Sequence, residues 1–299
     1  MSDADLLDPP QPFGAYRPLM FSIAYRMLGS AMKAEDVLQE DYLRCRSVPP
    51  ETIRSPKAYR ATVVTRLCLN QLESARAQRE TYVGAWLPEP ILTEAAEPLG
   101  ALALPPAQQA ELHESISLAF LVLLEQLSPV ERAVYLLRGV FDCSYAEIAQ
   151  ILDKDEAASR QLLSRARQHI AHNRPRFAAA PEQHRRLLEQ FMQAVSQGEV
   201  NGLVNLLSED VTLWADAGGK VRGAATRPLH GSLAVAQFVL ASTRFLPPHA
   251  TAEVQLVNGR PAIVVRASGQ ATFVIAIDVD GDRVRVVRVL ANPDKLRRV

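Results

Sequence analysis

The residues best suited to specific chemistry lie between Tyr145 and Ile170, where polar and basic side chains recur along a predicted helix. In the DNA major groove, guanidinium groups pair with guanine, carboxamides pair with adenine, and small side chains allow close approach. Helical spacing turns five such side chains outward: Arg160, Gln161, Ser164, Arg165 and Arg167. We therefore predict that this segment contacts DNA bases and phosphates.

Two helices joined by a tight turn must position these side chains. Ile148 and Leu152 give the first helix an apolar face, and Leu163 lies on the apolar face of the second. Asp153 is tolerated where the backbone must be left-handed, and Asp155 is a suitable N-cap for the second helix. The pattern predicts a helix-turn-helix, and the alternative is a plain helical hairpin.

A second basic segment runs from residue 54 to residue 79, with six basic residues and one acid. Opening a DNA duplex requires cations for the backbone and a surface on which exposed bases stack. The candidate DNA-binding residues of this segment are Arg54, Lys57, Tyr59, Arg60 and Arg66. Two alternatives stay open: the charges form a solvated helix face, and Tyr59 is a core aromatic.

An acidic helix face precedes this segment. The helical spacing predicts an apolar, inward-facing side of a helix that consists of Ala34, Val37, Leu38 and Tyr42. The outward residues are Glu35, Asp36, Gln39 and Glu40. From charge alone, this face is either a docking surface or an ordinary charged helix exterior.

Length and composition limit the class of protein. The 299 residues are about twice a typical domain, which predicts two or three cores, and the zero net charge argues against non-specific coating of nucleic acid. Three cysteines without a CxxC pair predict no disulfide framework, and we expect no metal, cofactor or catalytic centre. Apolar runs well short of roughly 20 residues and an acidic N-terminus predict a cytoplasmic protein without a membrane span.

The hydrophobic patterns divide the chain into four parts. Residues 13–80 and 111–176 have helical periodicity, and a proline-rich linker at 81–110 separates them. Residues 182–299 predict an α+β domain, with helices at 182–197 and 200–207, a curved antiparallel sheet, and hairpin turns at Asn258-Gly259 and Asp280-Gly281. The predicted strands are 211–215, 253–257, 262–267, 272–278 and 283–290.

The motifs resemble a known family. Residues 127–132 followed by 145–170 resemble region 4 of the extracytoplasmic-function (ECF) sigma factors, and residues 34–44 and 55–72 resemble their region 2. The resemblance implies that the acidic face docks on the β′ subunit of core RNA polymerase, that the β subunit is a further partner, and that the two basic segments bind promoter DNA. Asp41 departs from the family's small or apolar residue, and Tyr59-Arg60 replaces its Trp-Leu pair.

Further motifs resemble a subgroup of these sigma factors with a fused SnoaL-like domain of the NTF2 fold, a cone with a pocket. They lie at residues 86–90, 216–220 and 292–296, and Ala217 replaces a glycine of the subgroup. The resemblance implies intramolecular control of the sigma factor by this domain, and a small ligand in its pocket is a further possibility. The implied regulatory contact comprises Trp86, Asp216, Gly218, Gly219, Lys220, Asn292, Pro293, Asp294 and Lys295.

The resulting hypothesis is a multidomain alternative sigma factor, not an enzyme, with two all-α sigma domains followed by an α+β NTF2/SnoaL-like cone domain. One alternative is a helix-turn-helix transcription regulator that senses a ligand. The other is an NTF2-fold isomerase or cyclase with a helical appendage. That enzyme would use acid/base chemistry from residues near the pocket: Trp214, Asp216, Arg222 and His230.

Overall fold

The structure is a computed structural model that describes residues 11–53, 55–80, 82–93, 115–173 and 181–299. The chain divides into two compact units. Among the described residues, the first unit holds the chain up to residue 76, residue 115 and residues 123–173, and the second unit holds the rest. The linker residues 82–93 therefore belong to the second unit. Within the described part of the chain, no helix is both long and apolar enough to cross a membrane.

Seven helices are described between residues 11 and 173. In chain order they are α1 (Gln11–Leu28), α2 (Ala31–Arg46), α3 (Pro56–Glu80), α4 (Leu118–Leu124), α5 (Pro129–Gly139), α6 (Tyr145–Leu152) and α7 (Glu156–Asn173), with a 3₁₀ turn at Pro50–Thr52. The inner faces follow the predicted spacing, since Phe21 and Leu28 of α1 and Val64 and Cys68 of α3 are buried. The helical class predicted for this part is confirmed.

Capping side chains fix the start of each helix around the helix-turn-helix. Ser128 and Ser144 each form a capping box, with Glu131 and Glu147 respectively, at the N-termini of α5 and α6. Asp153 ends α6 in the left-handed region with φ of 52°, as predicted. Asp155 Oδ1 accepts the Ala158 N–H at 2.6 Å and caps α7, also as predicted. Local capping side chains therefore fix where these three helices begin.

The second unit is an α+β domain. Its helices are α8 (Pro181–Gln197), α9 (Val200–Leu206) and α10 (Ser232–Ser242), with a 3₁₀ turn at Thr243–Phe245. Its strands are β1 (Leu207–Asp216), β2 (Leu229–His230), β3 (Thr251–Val257), β4 (Arg260–Ala267), β5 (Gln270–Asp280) and β6 (Arg283–Leu290). The five predicted strands are present, whereas β2 and α10 were not predicted.

The six strands form one mixed sheet in the order β2-β1-β6-β5-β4-β3. Four of the five strand pairings are antiparallel, as predicted, whereas β1 and β6 pair in parallel, which the prediction of an antiparallel sheet did not include. After β2, α10 leads into β3, and three hairpins then run back across the sheet with alternating direction. The last strand thus lies beside the first and points the same way.

Two of the three hairpin turns were predicted. Asn258 and Gly259 have φ of 53° and 73°, which is the left-handed pair that a two-residue hairpin turn requires. Asp280 pairs with Arg283, so the second turn consists of residues 281 and 282, one residue later than predicted. The turn between β4 and β5 uses Ser268, with φ of 50°, and Gly269. Serine at such a position carries a weaker signal than asparagine.

The sheet of the second unit contributes to two hydrophobic clusters. The first cluster includes Leu188 and Phe191 of α8. The second cluster joins sheet residues to Leu87 and Leu296, and its sheet members include Val264, Val274 and Leu290. Leu87 is a linker residue and Leu296 is near the C-terminus, so these two segments complete the core of the second unit.

Candidate nucleic-acid interface and linker-docking site

The helix α7 presents the predicted recognition face. Ser159, Leu163 and Ala166 are buried against the rest of the helix-turn-helix. The five predicted DNA-binding residues of this helix are all exposed: Arg160, Gln161, Ser164, Arg165 and Arg167. Their polar and cationic groups are available to a groove of DNA.

The helix α2 presents the predicted acidic face. Ala34, Val37 and Leu38 are buried, as predicted for the inward-facing side. Asp36 and Gln39 are exposed. Glu35 and Glu40 are half-buried and form ion pairs with Arg17 at 2.5 Å and Arg44 at 2.8 Å, respectively. The face therefore combines two exposed polar side chains with two carboxylates that are partly neutralised.

Arg60 of α3 is not available to DNA, and its prediction as a DNA-binding residue is wrong. Its side chain is buried with 3% of the residue exposed, and both Nε and Nη2 donate to Asp41 Oδ2, at 2.8 Å and 2.7 Å. Asp41 of α2 is itself fully buried and needs a cationic partner in the core. The two departures from the family pattern, at positions 41 and 60, are thus one buried ion pair.

The other predicted residues of this segment differ in their surroundings. Lys57 is exposed, Tyr59 is half-buried, and Arg54 lies outside the described residues. Arg66 is exposed but already bonded, because its guanidinium donates to the carbonyl oxygens of Ile151 at 2.9 Å and Gln150 at 3.1 Å. These carbonyls lie in the last turn of α6, where intrahelical donors are lacking.

Two further arginines join the two helical regions of the first unit. Arg132 of α5 donates to the carbonyl oxygen of Met27 in α1 at 2.6 Å. Arg26 of α1 donates to Ser115 Oγ at 2.8 Å and lies 5.7 Å from the ring centroid of Phe141. Burial lowers the pKa of Arg26 to about 9, so its guanidinium is still charged near neutral pH.

Within the second unit, the linker packs against the α+β domain through the fully buried carboxylate of Asp216. This carboxylate accepts hydrogen bonds from the Leu87 N–H at 2.8 Å and from the Tyr82 hydroxyl, and Lys295 Nζ lies 2.7 Å away. Lys295 Nζ also lies 4.0 Å from the ring centroid of Trp86. Burial, followed by the hydrogen bond to Asp216, raises the pKa of Tyr82 above its usual range. We call these five residues the Asp216 cluster.

The remaining residues of the predicted regulatory contact surround this cluster. Asn292 Nδ2 donates to Tyr82 Oη at 2.8 Å, and Lys220 pairs with Asp294. Gly218 has φ of 56°, and a Cβ atom there would lie 2.5 Å from Asn292 Nδ2, so only glycine fits. Gly219 has φ of 73° and faces Val83.

Two residues of the same motifs behave differently. Ala217 does not adopt positive φ, so alanine at this position causes no backbone strain. Pro293 is exposed and has no described contact with the Asp216 cluster. In this loop, the positions that need glycine for their positive φ are therefore 218 and 219.

Sequence reasoning missed a second anchor of the linker. The side chain of Asn258, fully buried in its hairpin turn, accepts the Ile91 N–H at 3.0 Å and donates to the Ile116 carbonyl at 2.7 Å. Leu92 forms a β-bridge with Val257, and the Thr93 N–H donates to the Leu256 carbonyl at 2.8 Å. The Asn-Gly signal predicted the turn, but nothing local indicated that its side chain would bind the linker.

Comparison with known proteins identifies the family. Residues 13–78 match the family model "Sigma-70 region 2", and residues 117–170 match "Sigma-70, region 4". The ECF RNA polymerase sigma factor SigJ of Mycobacterium tuberculosis is 35% identical over 95% of this chain and 91% of its own length. The chain belongs to the ECF sigma factors.

Two further similarities extend over nearly the whole sigma factor. The crystal structure of Mycobacterium tuberculosis SigJ matches with a TM-score of 0.73 at 34% identity, covering 95% of this chain and 97% of that one. The probable ECF RNA polymerase sigma factor SigI of the same species is 28% identical over 94% of this chain and 92% of its own length. The chain is therefore an alternative sigma factor that directs transcription, with two helical sigma regions followed by an α+β domain.

The C-terminal domain of this sigma factor contains a cavity of about 360 Å³. Its wall is mostly apolar and includes Phe191, Phe238 and Phe273. Of the four residues considered for acid/base catalysis, only Arg222 lines it, whereas Trp214, Asp216 and His230 do not. Asp216 is instead engaged by the linker, so these four residues do not form the acid/base site that the isomerase hypothesis requires.

The buried ion pair of the sigma factor's first unit gives a testable prediction. Replacing Asp41 by alanine removes the carboxylate from a buried guanidinium, and we expect the helical unit to lose about 3–5 kcal/mol of unfolding free energy. The double variant Asp41→Ala/Arg60→Leu creates an apolar pair and should recover most of that loss. Denaturant unfolding of the full chain, followed by circular dichroism, measures both values. A double variant no more stable than Asp41→Ala contradicts the assignment.

Proposed function

We propose that the C-terminal domain of this sigma factor controls transcription initiation by holding the linker between its two DNA-binding regions. The observation that carries this proposal is the docking of Tyr82, Trp86 and Leu87 on Asp216 and Lys295. The proposed domains are region 2 at 13–80, the linker at 81–110, region 4 at 111–176 and the SnoaL/NTF2-like domain at 182–299. The protein is proposed to act in the cytoplasm.

The polymerase-binding surface is proposed to be the acidic face of α2, which docks on core RNA polymerase through its β′ subunit, with β as a further partner. The exposure of Asp36 and Gln39 supports this role. Glu35 and Glu40 would exchange their ion pairs with Arg17 and Arg44 for cations of the polymerase. For Glu40 this exchange costs little, because its ion pair with Arg44 is exposed to solvent and such pairs contribute about 1 kcal/mol or less.

Promoter DNA is the second proposed partner. Lys57, Tyr59 and Arg66 of α3 would contact the element that is opened, together with Arg54. The recognition face of α7 would read the other element in the major groove. Arg66 would first have to leave the carbonyl oxygens of Gln150 and Ile151, which makes promoter opening dependent on separation of the two helical regions.

Control by the C-terminal domain is proposed to be a two-state equilibrium. In one state, the Asp216 cluster and Asn258 hold residues 82–93 against the domain. In the other state, the linker is released and the two DNA-binding regions are free to take the spacing that polymerase requires. Core polymerase and promoter shift this equilibrium only if they bind the released state more tightly.

The C-terminal domain is proposed to be regulatory and not catalytic. Among the described residues, no aspartate, glutamate or histidine lines its cavity, so no general acid or base faces a ligand there. The apolar wall and a volume of about 360 Å³ favour a small apolar ligand as a further partner. Titration with hydrophobic fluorescent probes, with a cavity-filling Ala252→Phe variant as control, tests this point.

The polymerase-binding proposal is tested by charge reversal. We expect Asp36→Lys to weaken association of the full chain with core polymerase at least tenfold, because a like charge then faces the polymerase surface. Glu73→Lys, at an exposed position of α3, is the matched control and should bind core polymerase like the natural chain. Equal binding by both variants, measured by competition, would contradict the assignment of the α2 face.

The linker proposal is tested by removing single donors from the Asp216 cluster. Tyr82→Phe and Lys295→Met each delete a hydrogen bond to a buried carboxylate, worth about 1.5–3 kcal/mol, while keeping the apolar part of the side chain. We expect each variant to raise transcription from a cognate promoter by roughly tenfold in a reconstituted system with core polymerase.

Arg285→Ala is the matched control for these variants. Arg285 is exposed, and its ion pairs with Asp210 and Asp280 lie outside the linker contacts. We expect its transcription to equal that of the natural chain. The proposal of control through the linker fails if Tyr82→Phe and Lys295→Met also leave transcription unchanged.

A further inference from the structure

The five exposed residues of the recognition face are not equivalent, because one of them is held in place. The guanidinium of Arg160 bonds Glu156 at 2.6 Å, and its Cζ atom lies 4.8 Å from the ring centroid of Tyr145. Arg165 and Arg167 are also exposed, but within the described part of the chain their side chains have no ion pair or ring contact. The recognition face therefore has one restrained arginine and two unrestrained ones.

The restraint on Arg160 comes from a second helix. Tyr145 is the first residue of α6, and its half-buried ring packs against the apolar core of the helix-turn-helix. The capping box of Ser144 and Glu147 fixes this first turn. The ring also lies 5.5 Å from the Cζ atom of Arg138. The ring of Tyr145 is therefore held at the start of α6 by packing and by the capping box, beside the recognition helix.

Restraint matters for how an arginine recognises DNA. An arginine that pairs with both acceptors of guanine must present its planar fork in one orientation, and ordering a free side chain for this costs binding free energy. A guanidinium stacked on an aromatic ring has already lost much of this freedom. An unrestrained arginine is instead suited to phosphates, which it contacts in many orientations.

We infer that Tyr145 is a positioning residue that holds Arg160 for sequence-specific readout of one base pair, whereas Arg165 and Arg167 supply affinity for the DNA backbone. Glu156 is the second restraint on the same guanidinium. This inference rests on the proposed role of α7 in promoter recognition. It predicts that specificity and affinity are separable by substitution on this face.

The test measures binding of the holoenzyme, formed from core polymerase and the full chain, to a promoter library varied one base pair at a time. Arg160→Ala and Tyr145→Leu should both reduce discrimination at the same base pair, by roughly tenfold. Tyr145→Phe keeps the ring and should retain the preference. Glu156→Gln leaves the core untouched and should weaken discrimination at that base pair only, which guards against misfolding of Tyr145→Leu.

Arg165→Ala is the contrasting variant. It should weaken binding to all library members equally and reduce the slope of log affinity against log salt concentration by about one. The inference is overturned if Tyr145→Leu and Glu156→Gln weaken all sequences equally, or if Arg160→Ala leaves every base preference intact while the natural holoenzyme is selective. A natural holoenzyme without any preference would instead contradict the proposed function of α7.

Discussion

The buried carboxylate of Asp216 is the constraint on which the organisation of this sigma factor depends. An ionised carboxylate without partners in a protein interior costs several kcal/mol. Its partners come from two distant parts of the chain, Leu87 and Tyr82 of the linker and Lys295 near the C-terminus. Linker residues therefore supply part of the buried interior of the second unit. A segment that lies between sigma regions 2 and 4 thus serves as a structural element of the second compact unit.

A second buried carboxylate, that of Asp41, likewise joins separate elements in the helical unit. Asp41 and Arg60 pair across α2 and α3, the helices that carry the proposed polymerase-binding and promoter-opening residues. Removing either charge alone would leave the other without its partner in the core. The pair therefore couples the positions of two functional faces. In both units, a buried ion pair holds separate elements together: Asp41 with Arg60 in the first unit and Asp216 with Lys295 in the second. The exposed charged side chains are the ones proposed to bind polymerase and DNA.

Local signals predicted much of this structure. Asp155 caps α7 where the sequence indicated, and the exposed face of α7 follows from helical periodicity. Non-local pairing escaped prediction. In the sequence, Arg60 is one of six basic residues in a segment predicted to bind DNA. Its burial depends on an ion pair with Asp41 of another helix. The parallel pairing of β1 and β6 and the linker contacts of Asn258 likewise depend on residues far apart in sequence.

In the proposed mechanism, the linker is held in the free protein and released when the sigma factor initiates transcription. Amide hydrogen exchange at Leu87 and Ile91 tests it directly, because both N–H groups bond side chains of the C-terminal domain. We expect slow exchange in the free chain and at least tenfold faster exchange in the complex with core polymerase and promoter DNA. Equally slow exchange in an actively transcribing complex would contradict it.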